Sequence, residues 1–339
     1  MSKTVSVIIT CYNLEAFIAS AIDSVLNQSY KGHTEIIVVD DASIDNSIPI
    51  ISSYNRVKLI RNKTNQGVLL STIQGITNST GEIIMFLDGD DIWDKTKISE
   101  VVNCFDNNEN VALVTHDLMF INEKAITLNF PNRVFEFMSN FNCTQYNSII
   151  REGILNHKDY VWLGSAYSVN RRLGNIDDFC EFAKCLPDPE NTYQDWPLAY
   201  WVASQPQTKL MYVNKKLFSY RLHGKNHSGD SSTLFYAVRN LTRTRNTIHA
   251  MRTISIIHGF KSEYISIDSH LKFQNFLLEL YTGIRHHPTF GYLEHFKYCL
   301  KRRILLKELF RLFLIKYFGA DNFTNALSMT KRLKRIPHI

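Results

Sequence analysis

Short aliphatic runs alternating with helix-spaced stretches fill the first 115 residues and leave few folds open. Val5–Ile9 is a compact β-branched run, and beyond Asn13 the apolar residues Phe17, Ile18, Ala21, Ile22 and Val25 recur at helical intervals. The pattern repeats. Glu35–Val39 precedes a helix expected from about Asp45, with Ile48, Ile51 and Tyr54 on one face. Val57–Ile60 precedes a helical stretch opened by Gly67 and closed by Gly81, Glu82–Leu87 runs into Asp88, and Val111–Val114 makes a further strand. Strand–helix alternation of this kind predicts an α/β, Rossmann-like fold, a mostly parallel sheet with helices on both faces. Ligands of such sheets collect beyond the carboxyl ends of the strands. Three polar clusters, Thr10–Asn13, Asp40–Asp41 and Asp88–Asp90, fall at those ends and are expected to meet at one rim.

Asp88, Asp90 and Asp91 stand in the segment FLDGDDIWDK. Asp and Gly suit turns and helix N-caps, so Asp91 and Asp94 are candidate caps for a helix starting near Lys95. Two carboxylates flanking a glycine also converge on a bend, and their repulsion calls for a cation. Hard divalent ions, Mg²⁺ or Mn²⁺, take carboxylate oxygens together with phosphate oxygens, and such an ion stabilises a diphosphate as leaving group.

The six cysteines, Cys11, Cys104, Cys143, Cys180, Cys185 and Cys299, form no C-x-x-C pair. That argues against a zinc site or disulfide framework and for a cytoplasmic protein with reduced thiols. The N-terminus lacks signal-peptide character, and no run approaches the ~18 apolar residues of a membrane span. Net charge is +6, but residues 297–339 hold 11 Lys and Arg against Glu308 and Asp321, so the rest of the chain is mildly acidic. Leu300, Ile304, Leu305, Leu309, Leu312, Phe313 and Tyr317 recur there at helical spacing between the cations. Such a stripe packs on the domain or lies on an anionic membrane surface, the inner face of the cytoplasmic membrane. No nucleic-acid-binding motif is present.

The order of motifs resembles that of family 2 glycosyltransferases with the GT-A fold. Over residues 4–115, Thr10-Cys11-Tyr12-Asn13 stands where the family has (P/T)-x-Y-N, and Ser24–Ser29 resembles its S-[VI]-L-x-Q-[ST] helix end. Val39–Asp45 meets V-D-D-x-S-x-D, and Asn65-Gln66-Gly67 meets N-x-G ahead of the D-x-D at Asp88 and Asp90. The resemblance implies an inverting, metal-dependent enzyme using a nucleotide-sugar donor, UDP foremost. It places Tyr12 by the nucleoside, the backbone of Thr10 and Cys11 at the base, and Asp41 on the base ring N–H with Asp40 supporting its loop. Asn65 and Gly67 join this nucleotide site, Asp88 approaches ribose or metal, and Asp90 ligates the metal. Glu15 is assigned to ordering the first helix. The family's A-R-N arginine is replaced by Thr72, leaving Arg61 and Lys63 as nearby substitutes.

Farther along, Tyr160–Val169 reads as a strand. Asn191–Leu198 enters a helical run in which Asp195 suits an N-cap and Pro197 the first turn. Gln194-Asp195 also resembles the family's [ED]-D pair with Gln for the first acid, which implies Asp195 as the general base. Tyr220–Gly229 resembles Y-R-x-H-x-x-N-x-S, implying a lid in which Arg221 and His223 close on the diphosphate and His223 is available as a metal ligand.

The expectation is a GT-A domain over 1–230, divided into a nucleotide half (1–115) and an acceptor half with lid (116–230), then a basic helical region at 231–339. Its activity is that of a hexosyltransferase acting on a saccharide or lipid-linked saccharide in bacterial surface polysaccharide (O-antigen or capsule) synthesis. A metal-dependent nucleotidyltransferase is the alternative enzyme, although Cys11–Glu15 offers no Gly- and Lys-rich phosphate loop. A non-catalytic sugar-nucleotide-binding protein is the other class.

Overall fold

The computed structural model describes residues 3–129, 150, 151, 153, 154, 163–223, 233–282, 315 and 320. The chain divides into two compact units, 1–223 and 224–339.

The first unit is built on one nine-stranded sheet, ordered β3-β2-β1-β4-β8-β6-β9-β5, with β7 pairing β6. Its strands are β1 (Val5–Cys11), β2 (Thr34–Asp40), β3 (Val57–Arg61), β4 (Ile83–Asp88), β5 (Ile92–Trp93), β6 (Val111–Asn122), β7 (Thr127–Leu128), β8 (Ser168–Asn170) and β9 (Lys209–Leu222). Four strands of the nucleotide half, β3, β2, β1 and β4, run parallel, as their sequence alternation requires. The short β8 then enters antiparallel to both β4 and β6, while β6 and β9 are parallel to each other. Helices α1 (Ile18–Leu26), α2 (Ser47–Ser52), α3 (Gly67–Thr77) and α4 (Lys97–Asn107) fill the connections, followed by α5 (Ile176–Lys184) and α6 (Asp195–Ser204). Val7, Ile9, Val38, Met85 and Leu87 from the strands join Ile18, Ile22, Ile98 and Val101 from α1 and α4 in one core cluster. Burying such side chains is worth about 1.5–3 kcal/mol each.

Several expectations are corrected. β6 runs to Asn122, well beyond Val114, because β9 pairs with it along its length, with register shifts around Asp117. Within the strand expected at Tyr160–Val169, residues 160–162 lie outside the described residues, and Gly164–Ala166 form a 3-10 turn before β8. The turn brings Ser165 beneath β4, where its hydroxyl receives the Asp88 N–H. Asp91 caps no helix: β5 draws the chain inward to β9, and Asp91 receives the N–H of Arg221. Asp94 instead closes the turn before α4, accepting from the Thr96 N–H and hydroxyl. Asp195 is the first residue of α6, with Gln194 at the N-cap position. Glu15 precedes α1 and binds Asn46, joining two loops.

The second unit, described by itself, contains α7 (Leu234–Ile257) and α8 (Lys261–Thr282), which pack on each other. Arg252 reaches Asp268 at 3.1 Å and the Tyr264 hydroxyl at 2.6 Å. The basic stripe at 297–339 lies outside the described residues except for Ile315 and Ala320, and residues 224–229 of the expected lid lie outside them too.

Candidate active site at the carboxyl rim

Register brings the acidic clusters together. Thr10 lies opposite Asp88 across the β1–β4 pair, and Cys11 opposite Asp40 across β1–β2. Asp41 N–H binds the Cys11 carbonyl at 2.8 Å, and Gly89 N–H binds the Thr10 carbonyl at 2.9 Å. The loops after β1 and β2 are tied to each other: Asn13 N–H to Ser43 Oγ, Ile44 N–H to Asn13 Oδ1, and Leu14 N–H to Ser47 Oγ, each near 3 Å. Tyr12 sits half-buried on this tied segment.

Asp40 and Asp41 are both buried. Asp40 Oδ2 accepts from the Ser43 N–H, holding its own loop. Asp41 carries a job the sequence did not announce. Its Oδ1 accepts from Asn62 Nδ2 and the Gln66 N–H, both at 2.8 Å, and its Oδ2 accepts from the Gly67 N–H at 2.9 Å. It thereby anchors the N-x-G loop, with Asn65 beside the anchored residues. Gly67 has φ +82°, and an added Cβ would meet the Glu190 carbonyl oxygen at 2.1 Å, so only glycine fits.

Asp88 ends β4 with Oδ1 3.4 Å from both Thr10 Oγ1 and Gln194 Nε2. Burial, with the charges of Asp90 and Asp195 added, pushes its carboxyl up to about 7. Burial likewise lifts Asp195 to about 6, against the lowering effect of hydrogen bonds from its own and the Trp196 N–H. The Tyr167 hydroxyl donates to the Asp195 carbonyl at 3.0 Å and fixes the start of α6. His223 Nε2 stands 2.9 Å from Asp90 Oδ2, and its ring lies tilted against Phe17 with the ring centres 4.6 Å apart. The rim therefore collects Asp88, Asp90, Asp195 and His223.

Arg221 holds a different post from the diphosphate clamp expected of it. It lies within β9 and is 3% exposed. Its Nε donates to the Asp90 carbonyl at 2.7 Å, its Nη1 to the Glu123 carbonyl at 2.9 Å, and its Nη2 to Ser20 Oγ at 3.2 Å. Thr72 is buried and donates its hydroxyl to Gln194 Oε1. Arg61 and Lys63 are exposed.

Among the described residues no group of three or more His, Cys, Asp or Glu forms a ready-made metal cage. The donor chemistry nevertheless fits a hard divalent ion. The charge of Asp90 disfavours ionised Asp88 across Gly89, and the pair leaves the rest of a coordination shell to phosphate oxygens.

Sequence reasoning did not find the supporting residues Asn62, Ser165 and Tyr167. Each acts through one hydroxyl or amide, and nothing in the local sequence pattern marks it.

A sheet that is parallel in its nucleotide half, with acidic loops at the carboxyl rim and a helix-borne carboxylate facing them, is the glycosyltransferase GT-A architecture. Residues 6–158 match the family model described as Glycosyl transferase family 2. The uncharacterized glycosyltransferase alr2836 of Nostoc sp. is 36% identical over 128 residues, 36% of this chain and 39% of that protein. The putative glycosyltransferase EpsE of Bacillus subtilis is 35% identical over 127 residues, 36% of this chain and 45% of that protein. The chain thus spans less than half the length of these curated relatives. WfgD of Escherichia coli, named as a UDP-Glc:alpha-D-GlcNAc-diphosphoundecaprenol beta-1,3-glucosyltransferase, is 29% identical over 52% of this chain and 75% of that protein. In fold, S. aureus TarS 1-349, solved in complex with UDP-GlcNAc, superposes with a TM-score of 0.59 at 15% identity, over 99% of this chain and 93% of that one.

Proposed function

We propose that the chain transfers a hexose from a UDP-sugar to a hydroxyl of a saccharide or lipid-linked saccharide, with inversion, in assembly of a bacterial surface polysaccharide. The observation that carries this reading is the meeting of Asp88, Asp90 and Asp195 at one rim, with Gln194 bridging the donor side to the base side. Further support comes from the names of WfgD, a UDP-glucose enzyme with a lipid-diphosphate acceptor, and of the TarS complex with UDP-GlcNAc.

In this reading Thr10, Cys11 and Tyr12 line the nucleoside pocket, whose second wall is the loop that Asp40 and Asp41 hold with Asn65 and Gly67. Asp88, Asp90 and His223 would hold Mg²⁺ or Mn²⁺, which would supply positive charge to offset that of the departing diphosphate. Asp195 takes the proton of the acceptor hydroxyl as that oxygen attacks the anomeric carbon. The new C–O bond forms on the face opposite the leaving group, and the old C–O bond breaks with its electron pair going to UDP. With its carboxyl near 6, Asp195 is mostly ionised at neutral pH, as a base must be. Residues 1–115 serve the nucleotide, 116–230 the acceptor and lid, and the basic region at 231–339 meets anionic lipid at the inner face of the cytoplasmic membrane. Among the described residues no helix is long and apolar enough to cross a membrane.

The test is a panel of nucleotide sugars supplied with Mn²⁺ and extracted membrane lipids, read by release of nucleoside diphosphate. UDP release from a UDP-hexose, dependent on both Mn²⁺ and lipid, is the expected result. No turnover and no binding of any donor would overturn the reading.

A further inference from the structure

Lys97 is the one lysine among the described residues that is fully buried. Its Nζ donates to the Ser165 carbonyl at 2.6 Å and lies 4.0 Å from the centre of the Trp93 ring. Burying an amine is costly, and a methionine or leucine would fill the same space without that cost. The cost has an object. The Ser165 hydroxyl receives the Asp88 N–H at 3.0 Å. Asp91, itself buried, closes the turn through its N–H to the Asp88 carbonyl and accepts the Arg221 N–H at 2.9 Å. Arg221 Nε in turn holds the Asp90 carbonyl. The bend is gripped by its main chain and by Asp91, so the grip itself spends no donor on the carboxylates of Asp88 and Asp90.

We propose that Lys97 is a positioning residue for the Asp88–Asp91 bend, acting through Ser165 to aim the two rim carboxylates before any ligand arrives. The proposal rests on the glycosyl-transfer reading for its consequence in catalysis, but not for its structural content.

The experiment compares full-length wild type with Lys97→Met, which keeps the reach of the side chain and loses the donor, with Ser165→Ala, and with the double variant. Amide hydrogen exchange is followed in peptides covering residues 88–91 and, as control, 34–40. In folded Lys97→Met, exchange at 88–91 is expected to rise about tenfold with the control unchanged. Turnover is expected to fall about 10–100-fold, with the KM for the donor changing far less. Ser165→Ala is expected to reproduce the exchange change, and the double variant to be no worse than either single one, since both act along one path.

Unchanged exchange at 88–91, an equal rise in both segments, or multiplying effects in the double variant would each overturn the proposal. Should Lys97→Met fail to fold, Ser165→Ala decides alone, because it removes no buried charge; slow exchange there rejects the idea. If wild type turns over no sugar nucleotide, the transfer reading falls while the exchange data still decide the role of Lys97.

Discussion

Gln194 Nε2 stands 3.4 Å from Asp88 Oδ1, while the other end of the same amide receives the hydroxyl of Thr72. The bridge between the donor carboxylate and the residue preceding the base is therefore neutral. Gln194→Glu keeps an acceptor for Thr72 but sets a third negative charge beside Asp88 and Asp195. Turnover at pH 7.5 is expected to fall about tenfold, close to 1.4 kcal/mol in the barrier, because Asp88 is driven further toward its protonated form. Donor kinetics at fixed Mn²⁺, repeated at pH 8.5, check this: the deficit should narrow as pH rises and Asp88 ionises.

Asp195→Asn removes the base and keeps the shape of α6. A loss in kcat of about 10²–10⁴-fold is expected, with binding of UDP retained by calorimetry. In wild type the carboxyl at about 6 must be ionised to accept a proton. The rate should therefore rise with pH through about 6 as Asp195 ionises and level off only above about 7, where Asp88 is ionised too. An Asp195→Asn enzyme as fast as wild type would remove this residue from the chemistry.

Asp88, pushed up to about 7, makes an opposite prediction for stability. Its folded-state value lies above the unfolded one, near 4, so the folded state holds the proton more tightly. The stability that Asp88 contributes to the ligand-free protein is then fully present in acid and is lost as pH rises from about 4 through about 7. Asp88→Asn should abolish transfer yet stabilise the ligand-free protein at pH 8 by about 0.5–2 kcal/mol. Thermal unfolding of both proteins at pH 5.5 and 8 reads this directly, with the gap larger at the higher pH.

Gly67→Ala meets two obstacles, a left-handed backbone and the Glu190 carbonyl. A destabilisation of about 1–3 kcal/mol is expected, with weaker UDP binding, since Asp41 holds this loop through the Gly67 N–H. Chemical denaturation and nucleotide titration of the variant check both effects.

The nucleotide half was legible because strand alternation and strand-end acids are local signals. Val5–Cys11, Thr34–Asp40 and Ile83–Asp88 form where their aliphatic runs stand. The rest depends on distant pairing. β6 reaches Asn122 only because β9, about a hundred residues later, lies beside it. Arg221 looked like a loop cation by its neighbours His223 and Gly224, but its strand partner carries it under the Asp90 carbonyl. Asp91 read as a cap for want of any sign that Ile92–Trp93 pairs with β9. Residue type announced charge; tertiary pairing decided whether that charge faces ligand or scaffold.

The stitched loops at Asn13–Ser43, Glu15–Asn46 and Asp41–Gly67 have a thermodynamic consequence. A pocket whose walls are already tied loses little chain entropy on filling. Nucleotide association should accordingly be fast and nearly rigid, with a heat-capacity change no larger than the apolar contact area of the ligand requires.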